Sequence, residues 1–216
     1  MTRVKFPSLK GRGFTLLELM TTLAVLALLV VAAAPSLAEF HRNAVLTNTT
    51  NTLVSSIYRT RSEAMKEGKF AIMIPGGDEG ATDHSDWKNG WMIFIDNNLN
   101  RKFDTGDDVV FRQPSKDFPE YIEFDKNGPT LADGTTPAVM FNGSGFSRTK
   151  DSGFGAMTIE VRRNDVPDNR KIEYTRRIKL AETGRLRTCR PASATDTKCP
   201  GIPATPSGGG GGGSGG

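Results

Sequence analysis

The sequence predicts an α+β fold in which one long N-terminal α-helix packs on a C-terminal antiparallel β-sheet domain. Two observations predict it. From Phe14 to Ala38 the chain is apolar apart from a single carboxylate, Glu18, and apolar residues keep helical spacing as far as Lys66. Beyond Gly68 the pattern changes to short runs rich in β-branched and aromatic residues, each bounded by Gly, Pro, Asn or Asp. A helix followed by a run of strands is the order of an α+β chain, not of alternating βαβ units.

The helix begins behind a basic leader. Arg3, Lys5, Lys10 and Arg12 precede the apolar run and no acidic residue does, which holds the N-terminus on the cytoplasmic side of a membrane. An apolar stretch of roughly 20 to 25 residues spans a bilayer as helix. A carboxylate inside such a stretch is a functional candidate by default; one this near its end also snorkels to the headgroups at little cost. A rival reading is a secretory signal peptide cut after Ala38. Its apolar run would exceed the roughly 7 to 15 residues of a signal sequence, and it leaves the Gly-Phe-Thr-Leu-Leu-Glu junction without a purpose. Past Pro35, Leu46, Leu53, Ile57 and Ala64 form the stripe that should pack on a sheet. Residues 47–52, Thr-Asn-Thr-Thr-Asn-Thr, are poor helix formers and predict local loosening. Gly68 is placed to end the helix.

Strands are expected at residues 69–74, 91–95, 108–112, 121–124, 138–141, 156–162 and 171–180, with Val166-Pro167-Asp168-Asn169 as the turn between the last two. The tail from Gly201, ending in a glycine tract, cannot bury a core and is expected to be a flexible extension.

The segment Gly13-Phe14-Thr15-Leu16-Leu17-Glu18-Leu19 resembles the processing site of type IV prepilins and type II secretion pseudopilins. The fragment from Gly90-Trp91-Met92-Ile93-Phe94-Ile95-Asp96 to Asp107-Asp108-Val109-Val110 is similar to a strand-turn-strand of the GspH/FimT family of minor pilins and pseudopilins. The resemblance implies a leader at residues 1–13, a transmembrane and filament-core helix at 14–38, a periplasmic domain at 39–200 that includes the rest of the helix, and the tail at 201–216. It implies that a prepilin peptidase cuts between Gly13 and Phe14 and methylates the new N-terminus at Phe14. Glu18 would then pair with the N-terminal amine of a neighbouring subunit, since a carboxylate inside a packed apolar bundle needs a partner. Pro35 matches a position where family members carry a helix-kinking proline. The implied partners are the peptidase, other pilins or pseudopilins, and the lipid of the bacterial inner membrane. The implied role is assembly of a pilus or of a secretion pseudopilus, two machines the leader and helix do not separate.

Four of the 28 Lys and Arg residues lie in the leader, which leaves 24 basic residues against 24 acidic ones. Any basic function is therefore local. From Arg162 to Arg190 there are ten Lys or Arg against four acids, and in a strand Arg185 and Arg187 project to one face. Gly184-Arg185-Leu186-Arg187 looks like the Gly-Arg-x-Arg motif of DNA-binding minor pilins of the FimT kind. In that reading Arg185 and Arg187 hold phosphates, Gly184 allows the turn, and Arg190, Lys179 and Arg177 widen the patch. The alternative is a solvated strand face paired with acids between Asp78 and Asp125. The two cysteines, Cys189 and Cys199, would meet an oxidising compartment in an exported domain, so a disulfide is expected. A redox or metal pair is the weaker reading, because the spacing is not Cys-x-x-Cys and no His is near.

Asp96, Asn98, Asn100, Asp104 and Asp107 fall at positions 1, 3, 5, 9 and 12 of a calcium loop. Arg101 stands where such a loop has Gly, and Asp107 where it has Glu, so Asx turns joining two strands are expected and no metal. His41 and His84 are isolated, and no Ser, His and acid grouping or phosphate loop is present. Neither an enzyme nor a cofactor is expected.

Overall fold

A computed structural model describes residues 13–202. Most of the expected leader, residues 1–12, and the tail from 203 onward lie outside the described residues. The described residues fall into two units divided between Asn43 and Ala44, and the division lies within one helix.

That helix, α1, runs Leu16–Glu67. Its start carries a capping pattern: Thr15 is followed three positions on by Glu18, and the Thr15 hydroxyl accepts the Glu18 N–H at 3.2 Å. Glu18 therefore sits in the first turn, where the helix dipole favours a negative charge. The helix continues through Pro35. It also stays intact across residues 47–52, contrary to the loosening expected there. The Thr50 and Thr52 hydroxyls donate back to the carbonyls of Leu46 and Asn48 at 2.8 and 3.0 Å, and Leu46, Thr49, Thr50 and Leu53 are buried. Packing of that face outweighs propensity costs of about 0.5 kcal/mol per residue. Gly68, at φ +65°, ends the helix in the left-handed conformation that glycine adopts without strain.

Nine strands follow: β1 Phe70–Pro75, β2 Trp91–Asp96, β3 Asp108–Gln113, β4 Ile122–Asn127, β5 Val139–Phe141, β6 Ser147–Arg148, β7 Met157–Arg163, β8 Thr175–Leu180 and β9 Leu186–Cys189. They form two antiparallel sheets with strand orders β3-β2-β1-β5-β6 and β4-β7-β8-β9. The helical stripe of Leu46, Leu53, Ile57 and Ala64 joins one core with Met73, Trp91 and Ile93 of the first sheet and Ile159, Val161, Ile178 and Leu180 of the second. A smaller cluster, Ile72, Ile74, Met92, Phe94, Leu131, Ala138 and Met140, covers the other face of the first sheet.

Two differences from expectation have clear causes. Strand β8 begins at Thr175 and not at residue 171, because Asp168–Tyr174 forms a 3₁₀ turn behind Pro167. Tyr174 is buried there, with the Arg163 guanidinium 4.8 Å from its ring centroid. Strand β6 was not expected, since two residues between glycine-rich turns carry no periodicity.

Candidate functional site

The four-stranded sheet puts its apolar alternate residues into the core and its charged ones on the opposite face. On that outer face the register aligns Asn127, Thr158, Lys179 and Arg187 in one row, and Asp125, Glu160, Arg177 and Cys189 in the next. The chain after β9 then folds back over the second row. Cys189 and Cys199 are disulfide-bonded, with Cα atoms 5.9 Å apart, and a closed loop of this size stabilises by about 2 to 3 kcal/mol. Under this strap Arg177 is 4% exposed. Its Nε donates to Glu160 Oε1 at 2.7 Å, and its Nη1 donates to the Cys199 carbonyl. Glu160 also accepts the Ile202 N–H at 3.3 Å.

Arg177 was expected to widen a DNA-binding patch. It does not, because the disulfide brings the chain across it and its charge is satisfied internally. Arg190 is also separated from the patch. It lines a small cavity with Arg176, Thr188, Thr50 and Asn51, as the twofold alternation after Arg185 and Arg187 requires. Burial first, and then the charge of Arg190, lower the Arg176 pKa.

Arg185, Arg187 and Lys179 do come together. They line a groove of about 580 Å³ whose apolar wall is Ala156, Met157, Leu180 and Pro200. Arg185 and Arg187 are exposed, and Lys179 Nζ donates to the Pro200 carbonyl at 3.2 Å. Lys179 and Arg187 are directly opposed in register, a like-charge arrangement that is unfavourable until an anion joins it. Among the described residues neither Arg185 nor Arg187 has an acid within ion-pair distance. The acids of this face are engaged elsewhere: Glu160 holds Arg177, while Glu123 and Asp125 hold Arg162 at 3.3 and 3.5 Å. Asp78, at the start of the acidic segment, accepts from Ser115.

Gly184 sets the turn that presents these arginines. It adopts φ +80°, and a Cβ there would collide with the Gly145 carbonyl oxygen. Arg61 of α1 donates from Nη1 to the Gly184 carbonyl at 3.1 Å. The Ser147 N–H donates to the Glu182 carbonyl in the same turn at 3.0 Å.

Asp196 orders the strap by accepting backbone N–H groups from Ala192, Lys198 and Cys199. These bonds, the Ala192 one foremost, lower its pKa below the ordinary 3.8. A carboxylate with a depressed folded pKa stabilises above its unfolded value and loses that stabilisation as pH falls through the folded value. Amide exchange at Lys198 and Cys199 is therefore expected to stay slow down to about pH 4 and to accelerate only below it, beyond the intrinsic pH trend. Acceleration near pH 6 would assign the strap's order to another group.

The acidic loop between β2 and β3 is closed on itself. Asp96, fully buried, accepts Asn100 N–H at 3.1 Å through Oδ1 and Arg101 N–H at 3.1 Å through Oδ2. The Arg101 guanidinium folds back to Asp96 Oδ2 at 3.4 Å and lies 3.7 Å from the Phe70 ring centroid. Asp104 accepts from Asn98, Asn100 and Gly106, which lower its pKa, while burial raises that of Asp107. An arginine, with φ +58°, thus supplies a cation from within the loop. Among the described residues no group of three or more His, Cys, Asp or Glu is placed to hold a metal.

At the other end of the chain, the apolar side chains from Phe14 to Phe40 are exposed. Among the described residues α1 is the one helix long and apolar enough to cross a membrane. Gly13, Phe14 and Glu18 stand together at its start.

Residues 9–34 match the prokaryotic N-terminal methylation motif, and residues 49–184 match the family described as type II transport protein GspH. The pilin-like protein PilA1 of Thermus thermophilus is 32% identical over 97 residues, covering 45% of this chain and 56% of PilA1. The chain thus spans about half the length of that curated relative. Two crystal structures of the type IV minor pilin FimU of Pseudomonas aeruginosa align with TM-scores of 0.44 and 0.42 at 12% and 15% identity. They cover 66% and 68% of this chain, and 91% and 90% of FimU. Since the match to the sheet domain takes in more than half of the sequence and the methylation motif precedes it, the chain belongs to the GspH family of type IV pilin-like proteins.

Proposed function

We propose that this chain is a minor pilin or pseudopilin, held in the bacterial inner membrane as a precursor with its sheet domain in the periplasm. A prepilin peptidase cuts between Gly13 and Phe14 and methylates Phe14, and the subunit then packs among like helices in a pilus or secretion pseudopilus. The observation that carries this reading is the exposed apolar stretch of α1 with Glu18 as its single charge. In water that surface is unfavourable by about 25 cal/mol per Å², so it belongs against lipid or other helices. Within such a bundle the Glu18 carboxylate requires a cation, and a neighbour's terminal amine is the one the cut creates.

Mass spectrometry of the mature chain is expected to find N-methylated Phe14 at its start. Glu18→Ala should still be cut, yet losing one partner of a buried ion pair costs about 3 to 5 kcal/mol, more than about 100-fold in subunit affinity. The variant should then be nearly absent from sheared filaments. A different mature N-terminus, or normal incorporation of Glu18→Ala, overturns the reading.

A second function is favoured by the groove beside Arg185 and Arg187: capture of DNA for uptake. The unneutralised arginines and the opposed Lys179 and Arg187 support it. Full-length protein in uncharged detergent should retard DNA at low salt. Arg185→Ala with Arg187→Ala should weaken binding and flatten its salt dependence by about two units of log–log slope. No retardation by the wild type at low salt would remove this function.

A further inference from the structure

Phe154, two residues before the groove wall at Ala156, bridges Arg148 of β6 and forms an exposed aromatic pair with Phe146. Phe146 and Phe154 are 39% and 55% exposed, and their rings meet edge to face with centroids 6.3 Å apart. The Arg148 guanidinium lies 4.4 Å from the Phe154 centroid and 5.8 Å from that of Phe146. Phe146 and Arg148 flank the buried Ser147, so strand alternation puts them on one side of the β6 edge. Ser147 also joins this cluster to the arginine turn. Its N–H donates to the Glu182 carbonyl at 3.0 Å, and its carbonyl accepts the Gly155 N–H at 3.2 Å. One residue after Gly155 the chain enters the groove wall at Ala156.

We infer that the groove takes a single-stranded segment of nucleic acid, with phosphates on Arg185, Arg187 and Lys179 and an unpaired base stacked on the Phe154 and Arg148 cluster. The inference rests on the DNA reading and narrows it. Phosphate contacts alone need cations and no apolar surface, and a duplex turned toward the protein by its backbone leaves the exposed Ala156 and Pro200 of the groove wall unused. A positive groove beside exposed rings is the arrangement that holds single strands, because every base has a face to stack. Stacking on an aromatic already in contact with a guanidinium adds the cation's attraction for the base.

The test measures binding of the full-length chain in uncharged detergent to an oligothymidylate strand and to a duplex of equal length. The strand should bind more tightly than the duplex. Phe154→Ala should weaken strand binding by roughly 5- to 150-fold, the range for one stacked base, while leaving duplex binding unchanged. Phe154→Tyr should restore it. Because Phe154 is more than half exposed, the domain survives its loss. Equal binding of strand and duplex, with Phe154→Ala behaving as wild type, overturns the inference while the arginine variants still test the DNA reading. Binding of neither nucleic acid overturns both. Loss of filament incorporation by Phe146→Ala and Phe154→Ala, with strand binding intact, makes the pair a subunit contact and overturns the inference alone.

Discussion

Glu160→Ala is expected to lower the unfolding free energy by about 3 to 5 kcal/mol, the cost of stranding one member of a buried ion pair. The side chains of Arg177 and Glu160 are 5% and 11% exposed. With the acid gone, Nη1 still has the Cys199 carbonyl but Nε has no acceptor, and the Ile202 N–H loses its partner as well. Glu160→Gln keeps a neutral acceptor and should cost less, about 1 to 2 kcal/mol. Glu160→Leu combined with Arg177→Met removes both charges and should recover most of the loss, as apolar replacement of buried pairs often does. Urea unfolding of the four proteins with the disulfide intact measures the series. If Glu160→Ala unfolds within about 1 kcal/mol of wild type, Arg177 reaches water, as an exposed pair would, and the strap does not seal it.

How much of this was legible in the sequence depends on the distance over which each signal acts. The helix was legible because its apolar stripe repeats over many turns, and the start at Thr15 is written in a local Thr-x-x-Glu pattern. The β2–β3 loop was legible as Asx turns, because Asp and Asn crowd the segment between the two strands and their side chains bond the backbone two residues on. The spacing of Arg185 and Arg187 gave their shared face, since alternation in a strand needs no tertiary information. Arg177 and Arg190 could not be sorted the same way. Arg177 shares the outer face, yet its burial comes from residues 199–202 crossing it, a contact set by the disulfide and not by local pattern. The ten-residue separation of Cys189 and Cys199 was the available hint: bonding a strand residue to that position turns the chain back over the neighbouring strand. Phe146, which follows Gly145, and Phe154, between Gly153 and Gly155, carried a similar hint. Two rings in turns that should be polar are out of place, but only the pairing of β6 brings them together.

Gly184→Val tests whether the arginine turn is a positioned structure or a loose hairpin end. A β-branched residue at φ +80° is strained by about 1 to 2 kcal/mol, and its Cβ meets the Gly145 carbonyl in a space already filled, which adds about 1 to 3 kcal/mol. The expected loss of stability is therefore about 2 to 5 kcal/mol, read as a fall in the urea midpoint with an unchanged slope. Gly184→Ala should move in the same direction by less. The clash is with backbone on one side and with Arg61 of α1 on the other, so the turn can yield only by moving away from the helix. That movement would carry Arg185 and Arg187 off the groove while leaving their charges in place. Nucleic-acid affinity should then fall in Gly184→Val even though no cation has been removed, whereas Arg185→Lys, which keeps charge and position, should retain most of it. Wild-type stability and affinity in Gly184→Val would mean that the turn is not fixed by its packing on Gly145 and Arg61, and that charge alone governs binding.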